Sequence, residues 1–312
     1  MCDVTGGGAR SIEMHRYQAY GLTLATPFAC ADLAPADTEA SVDVVVQEGV
    51  VAASLRSPVV SEPGFDVAPG SFLRRGGHAG ARFLVRGGDR VVFERNPQAD
   101  DAMLAVQFSA SVLPAILRQR GLLVLHANGA VANGRAVLLG GLTGAGKSTT
   151  LAALLDRGYR MLSDDVTVLR LRGDGATEVV PGLARMHLTD ESASAIGLDL
   201  DTLPSQPWRR WKTAVPTEPA MAMSAAPLGA VYVLRSDGAE GVRVTALAGA
   251  EKFDALLRCV YGPVLGDEHP ALFPLLSAVL KQVAVFELQR PDDRWSVDEV
   301  VDCIVGAEGV IV

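Results

Sequence analysis

The hydrophobic pattern of this chain changes character near residue 100. Before that point, short runs of β-branched and apolar residues are separated by loops, a pattern that predicts strands. Val42-Asp43-Val44-Val45-Val46 is one such run, and residues 82–86 and 90–94 are two more. Gly87-Gly88-Asp89 joins the latter pair in the manner of a hairpin. Pro58, Pro63 and Pro69, with several glycines, mark loops between the runs. Beyond Asn96-Pro97 the spacing becomes helical. Asp100-Asp101 is placed to cap a helix that passes through Met103, Val106, Gln107 and Leu113 to Arg120, with Gly121 as its stop. Pro114 predicts a kink within it.

From residue 122 onward, strand and helix patterns alternate, as in an α/β fold. Residues 122–125 and 135–139 read as buried strands, with Asn133-Gly134 as a hairpin turn between them. A helix over 147–157 is stopped by Gly158, and strands at 159–162 and 166–171 flank a Ser-Asp-Asp corner. Further strands are expected at 228–234, 242–247 and 283–288, and helices at 251–261, 271–281 and 297–305. No internal repeat is visible. Residues 203–227, rich in Pro, Trp and basic side chains, read as a long loop or flap. The division expected is a β-rich region over 1–99 and a P-loop domain over 100–312.

Composition narrows the function classes. The 312 residues are 49% hydrophobic and 21% charged, enough apolar content for a sizeable core. With 28 Lys plus Arg against 36 Asp plus Glu, the net charge is −8, the wrong sign for a protein that chiefly grips nucleic acid. Cys2, Cys30, Cys259 and Cys303 form no CxxC pair, which argues against a zinc knuckle or a disulfide framework. The N-terminus lacks the basic start and apolar stretch of a signal peptide, and no apolar run has the length of a membrane span. A soluble cytoplasmic protein is expected, with no nucleic-acid or membrane partner.

One motif carries chemistry on its own. Gly141-Leu142-Thr143-Gly144-Ala145-Gly146-Lys147-Ser148 fits G-x-x-x-x-G-K-[ST], with an apolar run before it and an Ala/Leu-rich helix after it, and with Thr149 these residues are the candidate nucleotide-binding set. The glycines let consecutive N–H groups turn inward onto phosphate oxygens. Lys147 brings a cation to the β and γ phosphates, the Ser148 hydroxyl is a Mg²⁺ ligand, and the following helix adds its N-terminal dipole. No N-K-x-D or T-K-x-D tetrapeptide reads guanine, and no L-S-G-G-Q signature is present. Asp164 and Asp165, the latter eighteen residues after Lys147, close a predicted strand. A carboxylate there can hold metal or act as a base, so both residues are candidate metal ligands and catalytic groups; a solvated acidic turn is the alternative. His126 ends an apolar run twenty-one residues before Lys147. It reads either as a phosphate or carboxylate partner or as a structural histidine.

Together, Leu125-His126-Ala127, the P-loop and Arg157-Gly158-Tyr159-Arg160-Met161-Leu162-Ser163-Asp164-Asp165 resemble the catalytic domain of HPr kinase/phosphorylase. The sequence is closer still to HPr-kinase-like proteins of ribosomal-peptide gene clusters, including lasso-peptide precursor kinases. The resemblance is specific over residues 122–168 and diffuse beyond. It implies an α/β P-loop kinase fold of the HPr kinase and phosphoenolpyruvate carboxykinase type. In that fold Lys147 binds the nucleotide phosphates, Ser148 binds metal, Asp165 is the base with Asp164 beside it, and His126 lies near the phosphates. It also allows a ring-like homo-oligomer. The chain departs from the family in its first hundred residues and in lacking the Gly-rich second metal-binding motif, which puts phosphorylase activity and dependence on HPr in doubt. Asp190-Glu191 falls where a second metal carboxylate would, with a helix cap as its expected role. Arg209-Arg210-Trp211-Lys212 is a candidate source of a catalytic cation, Lys212 included, or a basic surface patch.

The reading reached is a Mg²⁺- and ATP-dependent kinase, with GTP as an alternative donor, acting on a serine or other hydroxyl of a small protein or precursor peptide. The rivals are a regulatory nucleotide-binding protein with slow ATPase activity and a small-molecule kinase.

Overall fold

The computed structural model describes residues 13–76, 80–199, 212–236, 238–262 and 269–308. The expected cations Arg209 and Arg210, with Trp208 and Trp211, lie outside the described residues. The protein is a mixed α/β structure built on two large sheets.

The first sheet contains β1 (His15–Ala19), β2 (Leu22–Thr26), β3 (Ala34–Pro35), β4 (Val44–Glu48), β5 (Val60–Glu62), β6 (Phe65–Ala68), β7 (Ser71–Arg74), β8 (Arg82–Arg86) and β9 (Arg90–Glu94). Its order is β3-β1-β2-β4-β9-β8-β7-β6-β5. The predicted hairpin is β8–β9, paired from Arg82 with Glu94 to Arg86 with Arg90. The helix predicted after Asn96-Pro97 packs on this sheet. Phe28 meets Phe83, Phe93 and Phe108 edge to face at 5.3 to 6.5 Å between ring centres, in one core with Leu104, Leu113, Ile116 and Leu117. Each such aromatic pair contributes about 0.5–1.5 kcal/mol beyond its buried area.

That helix is interrupted. It runs as α1 (Asp101–Gln107), a π-helical turn over Phe108–Val112, and α2 (Leu113–Gln119). Asp100 caps it by accepting from the Met103 N–H, and Gly121 ends it at φ 77°. The irregularity precedes Pro114, because a proline cannot bond to the carbonyl four residues back. That carbonyl, on Ala110, accepts the Tyr261 hydroxyl at 2.7 Å.

The second sheet holds the loop that fits the P-loop motif. Its strands are β10 (Leu123–Leu125), β11 (Asn128–Ala132), β12 (Arg135–Gly141), β13 (Arg160–Ser163), β14 (Thr167–Leu171) and β15 (Thr177–Val180), followed by β18 (Ala226–Ser236). They are ordered β10-β14-β15-β18-β12-β11-β13. A separate pair, β16 (Arg185–Leu188) and β17 (Thr213–Pro216), runs antiparallel. β19 (Arg243–Ala246) pairs with β20 (Ala284–Arg290), which lies parallel to β18. The helices are α3 (Lys147–Asp156), α4 (Asp190–Ala195), α5 (Gly249–Arg258), α6 (His269–Leu280) and α7 (Val297–Glu308). No described helix is long and apolar enough to cross a membrane.

Two expectations are corrected here. Asn133-Gly134, both at positive φ, does turn a two-residue hairpin, but its first strand is β11 and not residues 122–125. The sequence Asn128-Gly129-Ala130-Val131-Ala132 is too small-sided to announce a strand, yet it fills the narrow space between β12 and β13. The expected flap over 203–227 is only partly a loop in its described part, residues 212–227. Residues 213–216 form β17, and β18 begins at Ala226.

Candidate active site

The P-loop connects β12 to α3, the strand–loop–helix setting the motif requires. Gly141 has φ 128°, and a Cβ there would stand 2.5 Å from the Leu234 carbonyl oxygen of the neighbouring strand. Gly146, at φ 98°, is the N-cap of α3. Glycine is required at both positions, at the first by space as well as by conformation. The loop folds around the Lys147 ammonium, whose Nζ donates to the carbonyls of Gly141 at 2.9 Å and Leu142 at 3.1 Å. Burial lowers the Lys147 pKa from its ordinary value, opposed by the charge of Asp165.

A cavity of about 770 Å³ opens over the loop. Thr143, Gly144, Gly146, Lys147, Ser148 and Thr149 line it, together with His126, Asp165 and Lys212. The structure thus gathers residues from four separate parts of the chain. Gly141, Leu142 and Ala145 do not line the cavity. The first two turn their carbonyls to Lys147, and the Ala145 carbonyl accepts from Arg290 Nε at 3.1 Å. The Thr149 hydroxyl is engaged by Ser192 Oγ at 2.8 Å, which in turn contacts Thr189.

The two adjacent aspartates differ sharply. Asp164 has a side chain only 1% exposed. Its carboxylate accepts from Ser148 Oγ at 3.1 Å, Asn128 Nδ2 at 2.8 Å and the His187 N–H at 2.8 Å. Asp165 keeps 28% of its side chain exposed and faces the cavity. Its backbone is in the left-handed region at φ 63°, and the Val166 N–H closes a three-residue turn onto the Asp164 carbonyl at 2.7 Å. Asn128 steadies this turn, since its Oδ1 accepts the Asp165 N–H at 3.1 Å.

The ligand atoms of Asp164, Asp165 and His187 lie within 4.8 Å of one another. With the Ser148 hydroxyl on Asp164, this gives a divalent cation oxygen donors from two carboxylates and one alcohol, the hard set that Mg²⁺ prefers. The donors present therefore fit magnesium. His187 Nδ1 stands 3.3 Å from Asp164 Oδ2 and 4.0 Å from an Asp165 oxygen, where it can orient both carboxylates.

His126 follows β10, and its N–H donates to the Cys259 carbonyl at 2.6 Å. Burial, and then the nearby Lys147 charge, hold its pKa below the ordinary value, so the ring is neutral near pH 7. Lys212 lines the same cavity, and its charge adds to burial in lowering the pKa of both Lys147 and His126. Asp190 and Glu191 occupy the first turn of α4, but the cap is Thr189, whose hydroxyl accepts the Ser192 N–H. Glu191 reaches the cavity wall.

The first sheet also touches this site from behind. Tyr20, in the β1–β2 turn, is buried and donates its hydroxyl to the Val166 carbonyl at 3.1 Å. Burial pushes the phenol pKa up, so this donor keeps its proton. Arg185 pairs with Asp32 of the first sheet's loops and also donates to Ser109 Oγ at 2.9 Å.

Sequence reasoning missed Asn128, His187, and Arg290 with the turn that follows it. A buried Asn two residues after His126 was one available signal, and the dense Arg290-Pro291-Asp292-Asp293-Arg294-Trp295 cluster after a strand was another. His187 gave none. It is brought in by β16, which the sequence pattern did not reveal.

No protein-family model matches the sequence, and no curated protein matches it. Among solved structures, the chain is similar to the HPr(Ser) kinase/phosphatase from Coxiella burnetii at 15% identity with a TM-score of 0.33. The match covers 60% of this chain and 96% of that one.

Proposed function

We propose that this chain is a magnesium- and nucleotide-dependent kinase that transfers a terminal phosphoryl group to a hydroxyl. The acceptor proposed is a serine of a small protein or ribosomal precursor peptide, with ATP as donor. The observation that carries the reading is the division of labour at the loop. The Asp164 carboxylate sits 3.1 Å from the Ser148 hydroxyl, while Asp165 faces the cavity that Lys147 also lines.

The loop amides, Lys147 and Lys212 hold the phosphates and offset the charge that develops on them, which is the main demand of phosphoryl transfer. Ser148 and Asp164 would hold magnesium with Asp165 nearby, and bound there it would neutralise phosphate charge. Asp165 accepts the proton of the incoming hydroxyl as that oxygen bonds to phosphorus and the bridging oxygen leaves with the nucleoside diphosphate. Neutral His126 can donate a hydrogen bond to a phosphate oxygen. The peptide acceptor is drawn from the sequence resemblance.

The test is incubation of the purified protein with labelled ATP, magnesium and either seryl peptides encoded near its gene or a metabolite panel. Mass spectrometry should find the phosphoryl group on a peptide serine. Label appearing only as free phosphate would favour the regulatory ATPase, and label on a metabolite would favour the small-molecule kinase.

A further inference from the structure

The kinase reading accounts for Asp165 and the loop in the cavity wall and leaves the 290–297 part of that wall without a role. Trp295 borders the same cavity as the P-loop, yet the residue is 47% exposed. Among the described residues the other exposed aromatic is Phe273, which has the Phe253 ring against it at 5.4 Å. No described ring lies against Trp295.

The indole is held out by a fixed backbone. Before it, Arg290 ties the end of β20 to the P-loop through the Ala145 carbonyl at 3.1 Å and to the Pro291 carbonyl at 3.1 Å. Arg294 forks onto Glu299, with Nη2 2.9 Å from Oε2. After it, the Ser296 carbonyl accepts the Val300 N–H at the start of α7. A flat apolar ring kept partly in water by such anchoring is a surface ready to be covered.

The turn that carries Trp295 is joined to the loop itself. Arg290 meets it at Ala145 and Gly146, where a Cβ on Gly146 would lie 3.3 Å from Arg290 Nε. A nucleotide whose phosphates lie on the loop has its nucleoside in the same cavity, whose wall includes Arg290, Arg294, Trp295 and Val297.

We propose that Trp295 is the platform on which the nucleobase of the donor stacks. The inference rests on the nucleotide reading above and deepens it. Every base offers a π face to an aromatic ring, so stacking on indole is tolerant of base identity. ATP and GTP should accordingly bind with affinities within about tenfold of each other.

The test uses the full chain carrying Trp208→Phe and Trp211→Phe, so that Trp295 is the sole source of indole emission. Emission should change on adding Mg-ATP or Mg-GTP and stay unchanged with inorganic tripolyphosphate, which the P-loop can hold without a base. By calorimetry, Trp295→Ala in the otherwise native chain should weaken ATP by about tenfold or more and leave tripolyphosphate unaffected, with Trp295→Phe recovering most of the loss. ATP that binds Trp295→Ala as tightly as the parent, without altering the emission of the lone tryptophan, would overturn the stacking and leave the nucleotide reading intact. If neither ATP nor tripolyphosphate binds the native chain, the nucleotide reading falls, and the stacking with it.

Discussion

Asp165→Gly should leave the protein as stable as before, or slightly more so, while removing the proposed phosphoryl transfer. Asp165 is the central residue of a turn closed two residues apart, at φ 63°, a strained form for any L residue. Relieving such a residue is worth about 1–2 kcal/mol. Glycine gives back about 0.5–1 kcal/mol through the greater freedom of the unfolded chain. The backbone bond from residue 165 to Asn128 Oδ1 survives the change, and among the described residues the carboxylate's side-chain contact is with His187 Nδ1 at 4.0 Å. The balance is about 0–1.5 kcal/mol in favour of the variant, or a Tm between unchanged and about 3 °C higher. Phosphoryl transfer should fall about 100-fold or more, the usual range for a positioned general base. Asp164→Asn supplies the contrast. Its carboxylate accepts three hydrogen bonds, and turning one oxygen into an NH₂ sets donor against donor in a buried site, at about 2–4 kcal/mol. Thermal melts without nucleotide, calorimetry and initial transfer rates would be measured on both. The reasoning fails if Asp165→Gly melts as early as Asp164→Asn, or if it transfers phosphate at the parental rate.

Lys147→Ala should lose about 100-fold in transfer and abolish the thermal shift caused by nucleotide, with little change in the unliganded melt, because the ammonium's partners are carbonyls of its own loop; turnover like the parent's would refute this. His126 is held below its ordinary value of 6.5 by burial and by Lys147. Between its folded value and 6.5 the unfolded chain therefore binds more protons than the folded one. Stability should drop as pH falls through that window, and His126→Gln should flatten this part of the Tm–pH curve; an identical curve would count against it. The Cys30 thiol, pushed up to about 12 by burial, should resist alkylation in the native protein near pH 8 and react once urea unfolds it. Equal labelling in both states, read by mass spectrometry, would contradict that.

What the sequence by itself determined was local. The P-loop is contiguous, and its glycines, lysine and serine are required by backbone conformation and phosphate chemistry, so eight adjacent residues announce it. The Asp100 cap, the Gly121 and Gly158 stops and the hairpins at residues 87–89 and 133–134 were legible for the same reason, since each depends on two or three neighbouring residues. The differing fates of Asp164 and Asp165 were not legible. Two identical side chains in succession acquire opposite environments only because β13 ends beside β11, which delivers Asn128, while β16 brings His187 over one carboxylate and the left-handed turn points the other into the cavity. Arg290 and Trp295 likewise reach the P-loop only because β20 lies parallel to β18, which lies parallel to β12. The order of strands in a sheet is settled by packing between segments far apart in the chain. The tertiary structure therefore decided which groups surround the loop, and the local sequence decided the loop itself.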